Sequence, residues 1–261
     1  MSDPVLDVQR LSKRFGAVSA AQDISVQIAG DSVVGLIGAN GAGKTSFVNM
    51  ITGFVKPDAG RIRFGGRDIT GLAPRAITRL GICRSFQIPQ LYGSMTVFEN
   101  VLVGLGVLLR NAGRGGFLSR EAVVVPGHGG SADEAAERVL AAFGLLAYRR
   151  ERADTLSGGV RKLLDIALAM VAKPRILLLD EPTSGVSAME KFQVMEMIIQ
   201  AAKGEGATVL FIEHDMELVE RCAERVLAFY DGRVIADGPP GTVLSDEEVR
   251  RLVTGALPGG R

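Results

Sequence analysis

Gly38-Ala39-Asn40-Gly41-Ala42-Gly43-Lys44-Thr45, followed by Ser46, fits the pattern G-x-x-x-x-G-K-[ST]. It comes directly after the apolar run Val33-Val34-Gly35-Leu36-Ile37, which reads as a strand, and a helix is predicted from Lys44 to Thr52, ended by Gly53. Strand, loop and helix in that order are the setting of a phosphate-binding loop. Glycines let successive backbone N–H groups turn inward onto phosphate oxygens, and the helix that follows presents its positive end to the same anion. Lys44 is placed to reach the outer phosphates. Thr45 offers a hydroxyl to Mg²⁺, a cation that takes oxygen ligands shared between protein and nucleotide. The plain alternative is a Gly-rich turn in a chain with 33 glycines among 261 residues. The strand before the loop and the helix after it argue against that.

Composition bounds the remaining readings. At 261 residues the chain can bury a full core, as one large domain with a sub-domain or as two domains. A formal net charge of +1 gives no reason to expect nucleic acid as a partner, and 5% aromatics without tryptophan poorly supply a base-stacking surface. The two cysteines, Cys83 and Cys222, form no C-x-x-C pair, which suits a reducing compartment and argues against a disulfide framework or a zinc site. Met1-Ser2-Asp3-Pro4 lacks the basic start of a signal peptide. The best apolar run, Val101 to Leu109, is about half the ~20 residues of a membrane helix, so a soluble chain is expected.

Along the chain, Val5 to Val8 and Ile24 to Ile28 alternate like antiparallel strands, with a basic turn expected at Leu11 to Gly16 between them. Gly60 to Gly66 reads as a short strand closed by glycines, Pro74 to Leu80 as a helix, and Ile82 to Gln87 as extended. A helix is predicted from Val97 to about Arg110, a loose Gly-rich excursion over 111 to 131, and a helix from Ala132 to Leu146. Residues 88 to 165 therefore read as a helical insertion in an α/β core. The core resumes with a strand at Ile176 to Leu179, a helix from about Met189 to Lys203, a strand at Thr208 to Ile212 and a helix over Met216 to Arg221. Asp231-Gly232 between Val226–Tyr230 and Val234–Ala236 signals a hairpin. Ser245-Asp246-Glu247-Glu248 has capping-box spacing and is read as the start of a terminal helix.

Four further motifs bear on chemistry. Ile176 to Leu179 ends in Asp180 and Glu181, and carboxylates at the C-terminal edge of a parallel sheet lie where ligands bind. Asp180 would hold Mg²⁺, and Glu181 could deprotonate an attacking water. Leu156-Ser157-Gly158-Gly159 precedes a helical run in which Ser157 is an N-cap, so hydroxyl and free N–H groups converge in a way that suits an anion; taken alone it is a capped helix. Gln87, where extended structure breaks before Ile88-Pro89, can touch Mg²⁺ or the attacking water, or be a surface residue. His214 follows the strand ending at Ile212-Glu213; by itself it reads as a strand-end histidine making a local hydrogen bond.

With these pieces in this order the chain resembles the nucleotide-binding subunit of an ATP-binding cassette (ABC) transporter over essentially its whole length. The motifs that carry the resemblance are the phosphate loop at 38 to 45, the glutamine loop at Gln87, the LSGG signature at 156 to 159, the carboxylate strand at 176 to 181 and the switch histidine His214. The resemblance implies an α/β P-loop NTPase core with a mixed sheet, an antiparallel β sub-domain and an inserted helical sub-domain at 88–165, all within a single ATPase domain, 1–261. It implies ATP and Mg²⁺ as cofactors. ATP would be bound through Gly38, Asn40, Gly41, Ala42, Gly43, Lys44, Thr45 and Ser46, with Phe15 stacked on the adenine, and Thr45, Gln87 and Asp180 would hold the metal. Glu181, His214, Gln87 and Lys44 would carry hydrolysis. Two cassettes would pack head to tail, so that Ser157, Gly158 and Gly159 of one chain complete the ATP site of the other. A groove near Gln87 to Thr96 would pass the motion to a membrane subunit.

Ile51-Thr52-Gly53-Phe54, Arg84-Ser85-Phe86-Gln87, Met95 to Val101 and Ile212 to Met216, with the Gly-rich insertion, look like the branched-chain amino-acid uptake group. That likeness implies a cytoplasmic ATPase peripheral on the inner face of the plasma membrane. Its partners would be a second cassette (a different chain or a second copy), polytopic permease subunits and, indirectly, a solute-binding protein, with no nucleic acid. A lipid or lipopolysaccharide exporter subunit and a non-transport ABC protein are the alternatives. Two positions depart from the family pattern. Val160 stands where Gln or Glu is usual, and Ser187 stands where the dimer-contacting loop often carries Asp.

Overall fold

The computed structural model describes residues 4–85, 90–111, 125 and 127–254. β1 (Leu6–Phe15) and β2 (Val18–Ile28) form an antiparallel pair, and β3 (Val33–Ile37) leads into the phosphate loop and α1 (Lys44–Ile51). β4 (Ala59–Phe64) and β5 (Arg67–Asp68) complete an antiparallel sheet of order β2-β1-β4-β5. After α2 (Pro74–Leu80) and β6 (Ile82–Arg84) come α3 (Val97–Asn111), α4 (Ala132–Ala142) and α5 (Gly158–Met170). The chain then alternates through β7 (Ile176–Asp180), α6 (Lys191–Gly204), β8 (Thr208–Ile212), α7 (Met216–Cys222), β9 (Arg225–Tyr230) and β10 (Arg233–Gly238). It ends in α8 (Pro240–Ser245), α9 (Glu247–Val249) and a π-helical turn.

The second sheet has the order β10-β9-β3-β8-β7-β6, parallel except for the β9–β10 hairpin. Its central strands β3, β7 and β8 are buried at every residue, as a parallel sheet covered on both faces requires. Alternation divides them between two cores. Val34, Leu36, Ile176 and Leu178 face the antiparallel sheet and α1, whereas Val33, Ile37, Leu177 and Leu179 face the helices. The phosphate loop and Asp180 thus emerge at the same edge of one rigid sheet.

Phe47 fixes α1 on that sheet. Its side chain is fully buried, and its ring centroid lies 5.4 Å from that of Phe229 on β9. Phe47→Ala is expected to cost about 3–5 kcal/mol through lost transfer energy and a cavity. The check is a lower denaturant midpoint with an unchanged slope.

Three sequence expectations need correction. Leu11 to Gly16 is not a turn; β1 runs on to Phe15, and the chain reverses only at Gly16-Ala17. The cause is a bulged strand. Arg10 adopts φ 47° and the pairing with β2 shifts register between Val8 and Leu11 and twice more, which destroys the period of two. Ser245 does not start the terminal helix. Its hydroxyl donates to the Thr242 carbonyl at the end of α8, and Asp246 caps α9 by accepting from Val249 N–H at 3.0 Å. Finally, α4 stops at Ala142, short of Leu146, because Gly144 at φ 63° turns the chain. The expected excursion over 111 to 131 lies mostly outside the described residues.

Candidate active site

The loop backbone is held from two sides. Ala42 N–H donates to the Ala39 carbonyl, and the Ala42 carbonyl accepts from Gly232 N–H at 3.0 Å, which ties the loop to the β9–β10 turn. Asp231 and Gly232 both have positive φ, the requirement of a tight hairpin turn. Gly43 has φ 106°, and a Cβ there would meet the Ala20 carbonyl oxygen at 2.6 Å. Only glycine fits where the loop passes so close to β2.

Lys44 is buried, and its Nζ donates to the carbonyls of Gly38 (2.6 Å) and Ala39 (3.1 Å). Burial pushes its pKa down, while Asp180 and Glu181 oppose that shift. A desolvated cation curled inside a loop of peptide groups, with two carboxylates nearby, is chemistry suited to phosphate oxygens. Thr45 is exposed at the start of α1, with Ser46 beside it.

Asp180 ends β7 in a buried position, where Arg84 on β6 donates to its Oδ2 at 2.7 Å. Its main-chain carbonyl accepts from Lys162 Nζ at 3.0 Å. Glu181 follows with φ 47°, a left-handed conformation that costs a non-glycine residue on the order of 1–3 kcal/mol. Its N–H still donates to the Ile212 carbonyl, so the ladder with β8 extends one residue beyond the strand before the side chain is redirected. His214, just after β8, lies with Nε2 3.4 Å from Glu181 Oε1. Between those strands, the buried Glu213 accepts from the Thr183 hydroxyl and N–H, fixing the loop after Glu181.

The structure therefore brings Gly38–Ser46, Asp180, Glu181 and His214 to one edge. Phe15 stands half exposed at the end of β1, with Lys13 Nζ 5.4 Å from its ring centroid. Ser157 caps α5 by accepting from Val160 N–H, as its sequence position predicts. The atoms nearest a Cβ on Gly158 or Gly159 belong to Gly185 and Val186, so the signature meets the loop after β7 rather than the phosphate loop. Gln87 lies outside the described residues. The donors fit Mg²⁺ in their chemistry: Thr45 and Asp180 supply oxygen. Among the described residues no group of three or more His, Cys, Asp and Glu is placed to hold a metal ion.

Comparison with known proteins agrees with this geometry. The family profile described as ABC transporter matches residues 21–184. The chain belongs to the ABC transporter family. The high-affinity branched-chain amino acid transport ATP-binding protein LivG of Salmonella typhimurium is 36% identical over 98% of this chain and 99% of its own length. The probable LivG of Archaeoglobus fulgidus is 34% identical over 97% and 96%. Among solved structures, the ADP conformation of MJ1267, an ATP-binding cassette of an ABC transporter, superposes with a TM-score of 0.82 at 30% identity, covering 98% of this chain and 100% of that one.

Within this ABC cassette the two unusual residues have local roles. Val160 packs against the helical core, and the Ser187 hydroxyl donates to Glu190 at 2.6 Å. Sequence reasoning missed two residues at the site. Lys162 is 2% exposed on α5, where Asp165 is buried as well, and burial lowers its pKa against the pull of Asp165, Asp180, Glu181 and Glu213. A lysine at a core position of the predicted helix is a signal that could have found it. Arg84 was legible only as part of a family motif.

Proposed function

We propose that this chain is the ATP-hydrolysing subunit of a membrane importer of branched-chain amino acids or similar small polar solutes. The observation that carries the reading is the pairing of Glu181 with His214 at the sheet edge beside the phosphate loop and its buried Lys44. The loop N–H groups and Lys44 bind the ATP phosphates, and the exposed Phe15 lies against the adenine. Thr45 and Asp180, with Gln87, hold Mg²⁺, which neutralises phosphate charge when bound. Glu181 takes the proton of the attacking water while His214 holds that carboxylate and contacts the γ-phosphate, and the products are ADP and inorganic phosphate. The names of the relatives, branched-chain amino acid transport ATP-binding proteins, favour amino-acid transport over the lipid-export and non-transport alternatives.

The signature meets the loop after β7 rather than its own phosphate loop, which supports a composite site in which Ser157, Gly158 and Gly159 serve the ATP of a second cassette. The helices within 88–165 form the sub-domain that presents it. Between α3, α5 and the sheet lies an apolar groove of about 380 Å³, rimmed by the half-exposed Phe54, Tyr92 and Val107. That groove suits the docking of a permease subunit, with a solute-binding protein acting beyond it. No helix among the described residues is long and apolar enough to cross a membrane, so attachment to the inner face of the plasma membrane would run through that contact.

The test is ATPase rate per molecule against concentration, for this chain alone and with a second cassette and the permease. A neutral hydrogen bond is worth about 0.5–1.5 kcal/mol and one to a charged group about 1.5–3. Val160 and Ser187 should therefore weaken self-association more than chemistry. Turnover alone should be slow and should fall on dilution, then rise when partners are supplied. A high rate per molecule that survives dilution would contradict the composite site.

A further inference from the structure

Asp180 already has a cation of the chain itself as partner. The Arg84 guanidinium donates to Asp180 Oδ2 at 2.7 Å through one nitrogen and to Asn49 Oδ1 on α1 at 2.6 Å through another. Both members of the ion pair are nearly enclosed, with side chains 11% and 10% exposed. A planar fork that spans two acceptors on different elements is a task for arginine, since lysine carries its charge at a single point. Arg84 thereby braces β6 to β7 and to the helix that begins with Lys44 and Thr45.

We propose that Arg84 is a positioning residue of the ATP site, a built-in counter-ion that holds the Asp180 carboxylate in place and tempers its attraction for divalent metal, so that the metal is taken up together with nucleotide. The inference rests on the reading of Asp180 as a metal ligand. A carboxylate has about four lone-pair positions, so Oδ2 can remain with Arg84 while the carboxylate also serves a metal or its water. A guanidinium at that distance nonetheless repels a second cation. Lys44 and Lys162 also lie in the field of Asp180, but Lys44 Nζ donates to the Gly38 and Ala39 carbonyls and Lys162 Nζ to the Asp180 main-chain carbonyl, whereas Arg84 donates to the carboxylate itself. With Arg84 in place, the charge of bare Asp180 is balanced, and the phosphates of an arriving nucleotide supply the negative charge that makes metal binding favourable.

The test is Mn²⁺ binding to the full chain with saturating ADP, followed by electron paramagnetic resonance. Removal of one neighbouring charge should tighten Mn²⁺ about tenfold in Arg84→Met, by analogy with the one- to three-unit effect of such a charge on proton affinity. Arg84→Lys, which keeps the charge, should stay close to the parent. A brace with only a structural role would lower thermal stability without moving metal affinity. Mn²⁺ affinity unchanged or weakened in Arg84→Met overturns the proposal. Should that variant not fold, the unaltered chain carries the test. The guanidinium ¹⁵N resonance assigned to Arg84 should shift when Mg²⁺ joins the ADP complex, and a resonance that does not move overturns it equally. A parent chain that fails to bind ADP at all would instead bring down the nucleotide reading itself.

Discussion

Glu181→Gln is expected to bind ATP as the parent does and to hydrolyse it roughly 10²- to 10⁴-fold more slowly, the usual contribution of a positioned general base. The substitution changes one oxygen to an amide nitrogen and leaves the volume and the strained backbone in place. Glu181 N–H would still bond the Ile212 carbonyl, so β7 and β8 keep their register. The loss would fall on proton acceptance and on the 3.4 Å pairing with His214. An enzyme that binds but cannot cleave holds its ATP, so the variant should accumulate as a closed dimer, visible by gel filtration with ATP present. Parental turnover in Glu181→Gln would reduce the carboxylate to a structural role. If turnover and ATP binding fell together, Glu181 would be serving in binding, and the assignment of a base would move elsewhere.

Most of the fold was legible because its signals are local. The apolar runs at Val33–Ile37, Ile176–Asp180 and Thr208–Ile212 are buried on both faces, so they read as continuous hydrophobic stretches whatever they pair with. Asp231-Gly232 announced its hairpin through the conformational needs of two residues. Its second task, receiving the phosphate loop through the Gly232 N–H, depends on chain packing that no local pattern encodes. The edge sheet was harder. Bulges in β1 break the alternation on which a strand is recognised, and the irregularity at Arg10 made one long strand look like a short strand, Val5 to Val8, followed by a turn.

At the site, what could be read was residue type and spacing. Lys44, Asp180, Glu181 and His214 each follow directly from a strand or loop, and strand ends in a parallel sheet converge without further information. Arg84 and Lys162 act across elements far apart in sequence, on the carboxylate and the main-chain carbonyl of Asp180. Their partners are set by the strand order β8-β7-β6 and by the packing of α5 on that sheet, which the sequence pattern leaves open.

Lys44→Ala is expected to abolish ATP hydrolysis and to weaken nucleotide binding to the point of loss. Lys44 Nζ is turned back on the carbonyls of Gly38 and Ala39, and burial works against its charge. Phosphate oxygens are stronger acceptors than those carbonyls, and they supply the negative charge the buried ammonium lacks. Each hydrogen bond between charged groups is worth about 1.5–3 kcal/mol, and each 1.4 kcal/mol is about tenfold in affinity. Two such bonds, to the β- and γ-phosphates, would therefore account for roughly a hundredfold or more in binding. The rate suffers further, since the same charge faces the transferred phosphoryl group. The fold should survive, because Asp180 keeps Arg84 as its counter-ion and removal of the ammonium also removes a desolvated charge. The measurements are calorimetric titration with ATP, ATPase rate with partner subunits present, and the thermal midpoint as a control for folding. A folded Lys44→Ala chain that turned over ATP normally would show that Gly38–Ser46 is not the phosphate site, and the assignments of Thr45 and Asp180 to the metal would fall with it.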